Sequence, residues 1–470
     1  MPAPRSERTF SPLMVAVAAG SILVPLNSTM LAVALPGIMG QFALGANQVS
    51  SVVTLYLGAV AVALPASGTL GDRFGHGRTF VAGVLVFGLA SLTAAVGQSF
   101  VLLEVARVVQ AGSGALISTA SAAIIRDIAP PDRRGAAFGM FDLLTSTSAA
   151  IGPFIGGVIV GAFGWRAMFW LAVPIAIASA LAVRTLLPRQ APAGLESGST
   201  PASAAVVTRR PPLDLAGLGV LALAIVAFLA ALRIGPTGLG LVALVALVPL
   251  VVAFLAIELR SAHPAIDPRL FRSRTFGSAA AAVFGATAVL HGCFFLIPLL
   301  VEGLLDSNAT VTGIVLLGIA GVSALVAPWG GRTSDRVGRR RLAVAGSVVV
   351  AAGLAGLAAE VALGASGDRV PALVAIGVLL GVVGLGLGLS GSPRQTAALE
   401  TVARERVGMA AGTYLTARYL GGVVGASLGG AVLAGAVTIS GVALGFGILA
   451  AIAAGVAIVS SGLPGRRAGA

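Results

Sequence analysis

Apolar residues run through this chain in long blocks, broken by short stretches that carry arginine, glycine or proline. A helix that crosses a bilayer needs about 20 mainly apolar residues. Segments of that kind lie near 12–36, 48–70, 79–98, 101–126, 136–160, 167–187, 215–233, 238–257, 276–304, 310–331, 342–362, 371–391, 407–435 and 439–462. The pattern predicts an all-α integral membrane protein with fourteen transmembrane helices, the turn around Arg233–Gly238 being the least marked division. The first block, Leu13–Leu35, follows a short basic stretch and contains Ala32-Val33-Ala34, as a secretory signal would. Its span-like length and the many blocks after it favour a first helix instead.

The blocks are arranged as a repeat. Gly71-Asp72-Arg73-Phe74-Gly75 recurs as Ser334-Asp335-Arg336-Val337-Gly338, each copy between two apolar blocks and 263 positions apart. Gly156-Gly157 is echoed by Gly429-Gly430 at an offset of 273. Six blocks, together with the stretch 188–275 that follows them, are about as long as the first offset. This predicts an N-terminal six-helix half (1–187), a Pro/Ser/Ala-rich cytoplasmic linker (188–214), an inserted helix pair (215–257), a cytoplasmic connector (258–275) and a C-terminal six-helix half (276–470). Parallel repeats of this kind are a transporter architecture.

Composition agrees. Of the 470 residues, 57% are hydrophobic and 10% charged, whereas soluble domains carry about 25% charge. The net charge of +13 comes from 30 basic residues, all arginine. On the predicted topology, 25 of these fall on one side of the membrane. That is the positive-inside bias, and it places both termini in the cytoplasm of a cell (inner or plasma) membrane. The charge therefore reports orientation, and no nucleic-acid partner is expected. The single cysteine, Cys293, excludes an intrachain disulfide and reads as a small core residue.

A few polar residues inside the blocks carry candidate chemistry. Arg107 lies within the fourth helix, where a guanidinium is costly and must face a cavity or a partner; Glu104, three residues earlier, is one such partner. Asp142 sits in the fifth helix, ten residues before Gly152-Pro153, and an acid within a span is a candidate proton carrier or the partner of a buried arginine such as Arg418. His291, in mid-helix, is a proton-binding candidate or a hydrogen-bonded packing residue. Glu302, near an outer helix end, is an entrance residue or an interfacial one. In the repeated loops, Gly68, Asp72, Arg73, Gly75 and Arg78, with Asp335, Arg336, Gly338 and Arg339, form a cytoplasmic gate or only set orientation. Pro153 interrupts its helix, and Gly152, Gly156 and Gly157 permit close approach.

These segments resemble a known family. Residues 68–78 are similar to the loop motif of the major facilitator superfamily, and Leu103–Gly114, with Arg107, Gln110 and Gly112, to its fourth-helix motif. Gly152-Pro153 with Gly156-Gly157 resembles its antiporter motif. Leu26-Asn27-Ser28-Thr29-Met30 through Pro36, and Arg418 through Gly425, look like motifs of the fourteen-helix drug/proton antiporter branch, the multidrug efflux type. The resemblance implies a major-facilitator fold of two six-helix bundles, a helix pair between them, and an Arg107 that faces the central cavity and helps couple proton to substrate. One position departs from the family. Where the branch carries a first-helix acid, this chain has Asn27, which hydrogen-bonds but holds no exchangeable charge. Coupling through Asp142 is the preferred substitute.

The expectation is a secondary active exporter of lipophilic or amphipathic compounds, working by alternating access in exchange for protons. It is expected to act as a monomer, without cofactor or metal. Asn27, Met30, Gln110, Phe141, Phe294, Phe295 and Tyr414 are candidate cavity residues, the apolar ones fitting ordinary packing as well. A passive facilitator and a proton-driven importer are the alternatives, because of Asn27. No Gly-x-x-x-x-Gly-Lys loop exists for ATP, and the three histidines, His76, His263 and His291, do not converge as an enzyme site would require.

Overall fold

The structure, a computed structural model, describes residues 12–129, 134–186, 214–234, 238–261, 264, 266–364, 369–400, 402, 407–433 and 436–465. In lipid, every backbone N–H and C=O must be satisfied within the protein, and helices do this segment by segment. Fourteen α-helices are found among the described residues: α1 (Pro12–Phe42), α2 (Ala46–Phe74), α3 (His76–Val96), α4 (Phe100–Ile128), α5 (Arg134–Phe163), α6 (Ala167–Leu186), α7 (Leu215–Ile234), α8 (Gly238–Arg260), α9 (Arg274–Pro298), α10 (Ala309–Val337), α11 (Arg339–Gly364), α12 (Arg369–Glu400), α13 (Val407–Val432) and α14 (Ile439–Ser460). Each coincides with one expected segment. Twelve are long and apolar enough to cross a membrane; α7, with an apolar stretch of only Ala216–Ala231, and α13 fall outside that set. Most of the expected linker, 188–213, lies outside the described residues.

Several helices outrun their apolar blocks. The α12 helix continues to Glu400 although its apolar run ends near 391. Arg394, which lies beyond that run, is therefore inside a helix and buried. Helix geometry needs no apolar side chain, so the hydropathy boundary underestimates the end.

The repeated loops fold alike. Gly75, between α2 and α3, has φ +88°, and Gly338, between α10 and α11, has φ +99°. Each donates its N–H to a carbonyl four residues back, Gly75 to Gly71 at 2.9 Å and Gly338 to Ser334 at 3.0 Å. Only glycine takes this backbone conformation without strain.

Within the N-terminal half, α1 packs on α5 and α6, and α4 on α2 and α3. The C-terminal half repeats the scheme, with α13 and α14 on α9 and α12 on α10 and α11. Across the halves the main contacts are α5 with α10 and α2 with α13, while the α7–α8 pair leans on α2 and α13. The connections α2–α3, α10–α11 and α8–α9 carry Arg73 and Arg78, Arg339–Arg341, and Arg260–Arg274, and define a basic end. The opposite end carries the α1–α2, α3–α4 and α5–α6 turns.

The hydrophobic core is asymmetric between these ends. At the far end a single cluster runs through both halves, joining Met30–Ile38, Leu103 and Phe169 to Phe294–Val301, Leu316 and Phe446. At the basic end it divides. One cluster (Val17, Phe80, Ile124, Val183) belongs to the N-terminal half alone, and another (Phe276, Ala397, Tyr414, Leu463) to the C-terminal half alone. The halves thus share one core at the far end and keep separate cores at the basic end, with a further link in the middle, where Tyr56, Leu57 and Val60 of α2 meet Val423 of α13.

Glycine makes the fused end possible. A Cβ at Gly157 would come within 2.5 Å of the Ala309 carbonyl oxygen, and one at Gly313 within 2.5 Å of the Pro153 carbonyl oxygen, so α5 and α10 touch backbone to backbone. A Cβ at Gly430 would crowd Ser50 where α13 meets α2. A polar tie reinforces the N-terminal half: Trp165 donates to Gln41 at 2.9 Å, and Arg166 lies over the Trp165 ring and donates to the Gly97 carbonyl at 2.7 Å. Gly157→Leu should therefore destabilise the protein by about 1–3 kcal/mol, the usual penalty of overpacking. Gly112→Ala, with no atom near its added Cβ, should leave the thermal midpoint in detergent unchanged or slightly raised.

Candidate functional site

Three helices converge on Arg107. It lies in α4, two turns from the far end, and is 1% exposed. Its Nη1 donates to Asn27 Oδ1 on α1 at 2.6 Å and to Gln110 Oε1 at 2.8 Å, and its guanidinium stacks over the Tyr56 ring of α2, 4.0 Å from the centroid. Gln110 in turn donates through Nε2 to Ser91 Oγ on α3 at 2.7 Å. One turn toward the far end, the buried Glu104 carboxylate accepts from the Ser51 hydroxyl of α2.

A buried charge is tolerable only when its donors find acceptors and its field is compensated. Here two amide oxygens and an aromatic face hold Arg107, worth about 1.5–3 kcal/mol per hydrogen bond to a charged group and about 0.5–2 for the ring. Arg107 Nε and Asn27 Nδ2 are buried without a hydrogen-bond partner among the described residues. The cluster ties α1, α2, α3 and α4 together around a fixed positive charge. Asn27 contributes an acceptor and no titratable proton.

Asp142 stands in a different setting. It lies eleven residues, about three helical turns, before Pro153, and so on the same stripe of α5. At the far end that stripe presses on α10 through Pro153 and Gly157. At the basic end, where the cores have parted, Asp142 and Ser146 on this stripe are exposed. Among the described residues Asp142 makes no ion pair. Arg418 is exposed on α13, which packs on α9 and α2 rather than on α5.

His291 is half-buried on α9, where α13 and α2 meet it. Its Nδ1 lies 3.0 Å from the Thr287 carbonyl oxygen, which assigns the proton to Nδ1, and its ring edge meets Phe294. A Cβ at Gly422 would come 3.0 Å from both Nδ1 and a Leu57 methyl. Just beyond α9, a π-helical turn (Leu299–Leu304) carries Glu302, which accepts from the Thr312 hydroxyl of α10 at 2.9 Å.

Met30, Phe294 and Phe295 belong to the fused core, Tyr414 to the C-terminal basic-end core, and Phe141 is half-buried beside the N-terminal one. Gly152 and Gly156 face Thr29 and Met30 of α1, whereas Gly157 faces α10. In the loops, Asp72 lies 3.5 Å from His76 Nε2, Arg73 is near the Phe74 ring, and Arg336 is exposed; the side chain of Asp335 lies outside the described residues. Arg339 makes a double hydrogen bond to Glu400, at the end of α12.

Sequence reading missed Tyr56, Ser51 and Ser91 as partners of the Arg107 cluster, Glu400 as the partner of Arg339, and Arg394 as a buried charge. Arg394 donates to Ser390 and to the Ala282 carbonyl, within electrostatic reach of Tyr414. One signal was available: Tyr56 and Tyr414 are two of only three tyrosines, and each lies beside a buried arginine.

Two helical halves fused at one end, parted at the other and built around intramembrane charges define a membrane transporter rather than an enzyme. The chain belongs to the Major Facilitator Superfamily, whose family model matches residues 17–304 and 275–468. It is 30% identical to an uncharacterised MFS-type transporter of Bacillus subtilis (strain 168), over 90% of each chain. It is 28% identical to a tetracenomycin C resistance and export protein of Streptomyces glaucescens, over 90% of this chain and 76% of that one. A puromycin resistance protein of Streptomyces alboniger is 29% identical over 95% and 89%. Among solved structures, a peptide transporter superposes with a TM-score of 0.69 at 16% identity, covering 97% of this chain and 95% of that one. A D-xylose–proton symporter superposes with 0.63 at 13%, covering 96% of each.

If Asn27 serves chiefly as the acceptor for Arg107, Asn27→Asp should fold with an unchanged or higher thermal midpoint. Asn27→Leu should cost about 1–3 kcal/mol by leaving a buried donor unmet. Thermal unfolding of both variants in the same detergent checks this ordering.

Proposed function

We propose that this transporter exports lipophilic or amphipathic compounds from the cytoplasm across the cell membrane, in exchange for protons and as a monomer. The observation that carries this reading is the divided core: the halves share one core at the far end and keep separate cores at the basic end, as a cleft opening there requires. The excess of arginine there orients that end to the cytoplasm, so the conformation described is open inward. Relatives named for antibiotic resistance and export support the direction and the class of cargo.

The divided core supports a reading of alternating access. Rocking about the middle would part the α5–α10 and α2–α13 contacts at the far end and close the cleft. The loops with Asp72/Arg73 and Asp335/Arg336 would then latch the cytoplasmic side. Arg107 keeps its charge throughout, so the travelling proton needs a carboxylate. Asp142 is our preferred carrier, because it is exposed on the stripe of α5 that presses on α10 farther along. Its protonation from outside would accompany release of substrate. A passive facilitator or a proton-driven importer is the second reading, favoured by the neutral Asn27 at the first-helix position.

Dye accumulation in an efflux-deficient bacterium expressing this chain, with and without a protonophore, tests the proposal. Lower accumulation that the protonophore reverses is the expected result; uptake or efflux indifferent to the proton gradient would favour the second reading. Asp142→Asn should then abolish uphill export while retaining substrate binding. Undiminished proton-driven export by that variant would remove Asp142 from the coupling role.

A further inference from the structure

A crevice of about 450 Å³ opens at the basic end of the N-terminal half, between the end of α2, the start of α3 and the middle of α4. Its rim carries Arg73 and Arg78, and its walls are Leu70, Phe74, Ala82 and Leu116. Arg78 is exposed and makes no hydrogen bond or ion pair among the described residues. The crevice is also lined by Thr79, which is 6% exposed and whose hydroxyl has no hydrogen-bond partner among the described residues. The same rim holds the first turn of α3, whose N-cap, Gly75, supplies no side-chain acceptor. Such a turn favours an anion.

From the crevice an apolar stripe continues along α3: Ala82, Leu85, Val86 and Leu89 are all exposed, at helical spacing. In a span, exposed apolar side chains face acyl chains. The repeat offers a contrast, because at the start of α11 the Glu400 carboxylate of α12 is clamped by Arg339. There the protein supplies its own anion.

The geometry points to a binding site for an anionic phospholipid of the cytoplasmic leaflet. Arg78, Arg73 and the Thr79 hydroxyl receive the phosphodiester, and one acyl chain lies along the Ala82–Leu89 stripe. Asp72, exposed beside this rim, disfavours a second negative charge deeper in the loop and sets the phosphate on the Arg78 side. The site does not depend on what is transported or on how protons couple.

The test is lipid retention by the purified full chain, read by native mass spectrometry after exposure to equal amounts of phosphatidylglycerol, phosphatidylethanolamine and phosphatidylcholine. Phosphatidylglycerol should be retained in preference to both. Arg78→Gln combined with Thr79→Val should lower that preference about fivefold or more, the weight of one surface arginine at an anionic lipid. Ala82→Phe fills the crevice from an exposed position and keeps every charge, and it should lower retention as well. Equal retention of the three lipids would overturn the site, as would wild-type retention by Ala82→Phe, since either means that surface charge alone is at work. Displacement of phosphatidylglycerol by millimolar inorganic phosphate would also overturn it, by assigning the rim to a free anion.

Discussion

The meeting of α5 and α10 governs what the rest of this structure can do. Gly157 and Gly313 let two backbones touch, and that contact draws the apolar ends of both halves into a single core. Close backbone packing is how helices associate in lipid, where apolar side chains gain little by leaving a solvent as apolar as themselves. Small residues on both faces are therefore required, and any side chain there would wedge the halves apart. The same two helices run on toward the basic end, where each half keeps a core of its own. A joint that is tight at one end and absent at the other is what a rocking motion needs. Each half keeps a core of its own only at the basic end, whereas the far-end core and the contact of Tyr56, Leu57 and Val60 with Val423 cross between the halves.

The Arg107 cluster constrains the N-terminal body in a second way. A guanidinium cannot be neutralised by losing its proton, so it must be solvated by the protein wherever it is buried. Four helices supply that solvation through Asn27, Gln110, Ser91 and Tyr56. This makes the N-terminal bundle hard to deform internally and favours motion of the bundle as a unit. It also fixes a positive charge where substituting Asn27 for an acid removes the local counter-charge. In the C-terminal half, Arg394 has a comparable position among Ser390, the Ala282 carbonyl and Tyr414.

Much of the architecture was legible in the residues because bilayer physics leaves few choices. A run of about 20 apolar residues has to be a helix, and all fourteen expected segments coincide with one. The glycine of each repeated loop could be assigned a turn, and Gly75 and Gly338 take the positive φ that explains their identity. The partners of Arg107 were less legible. Gln110 lies one turn away on the same helix, but Tyr56 and Ser91 come from α2 and α3, and only the packing of those helices brings them near. Arg394 was hidden for a local reason: hydropathy falls near residue 391, yet the helix continues for another two and a half turns. The orientation of Asp142 needed the structure as well, since a stripe on α5 has meaning only once its neighbour is known to be α10.

Asp142 and Asn27 together carry an argument about where an acid can serve. An acid at position 27 would sit against Arg107 in the fused part of the core, 4% exposed in its present form. There it would replace the amide as acceptor for Arg107, and in the proposed rocking the two would travel together within the N-terminal bundle. An acid on α5 is placed otherwise. Its stripe passes from the α10 contact to the end where the cores are separate, and the proposed rocking would change what that stripe faces while leaving its own helix intact. A group whose surroundings differ between two conformations can tie its protonation to the motion. Replacing the first-helix acid by an amide is therefore compatible with coupling, provided that the remaining acid lies on a surface shared between the bodies. In the proposed cycle the α5 stripe is such a surface.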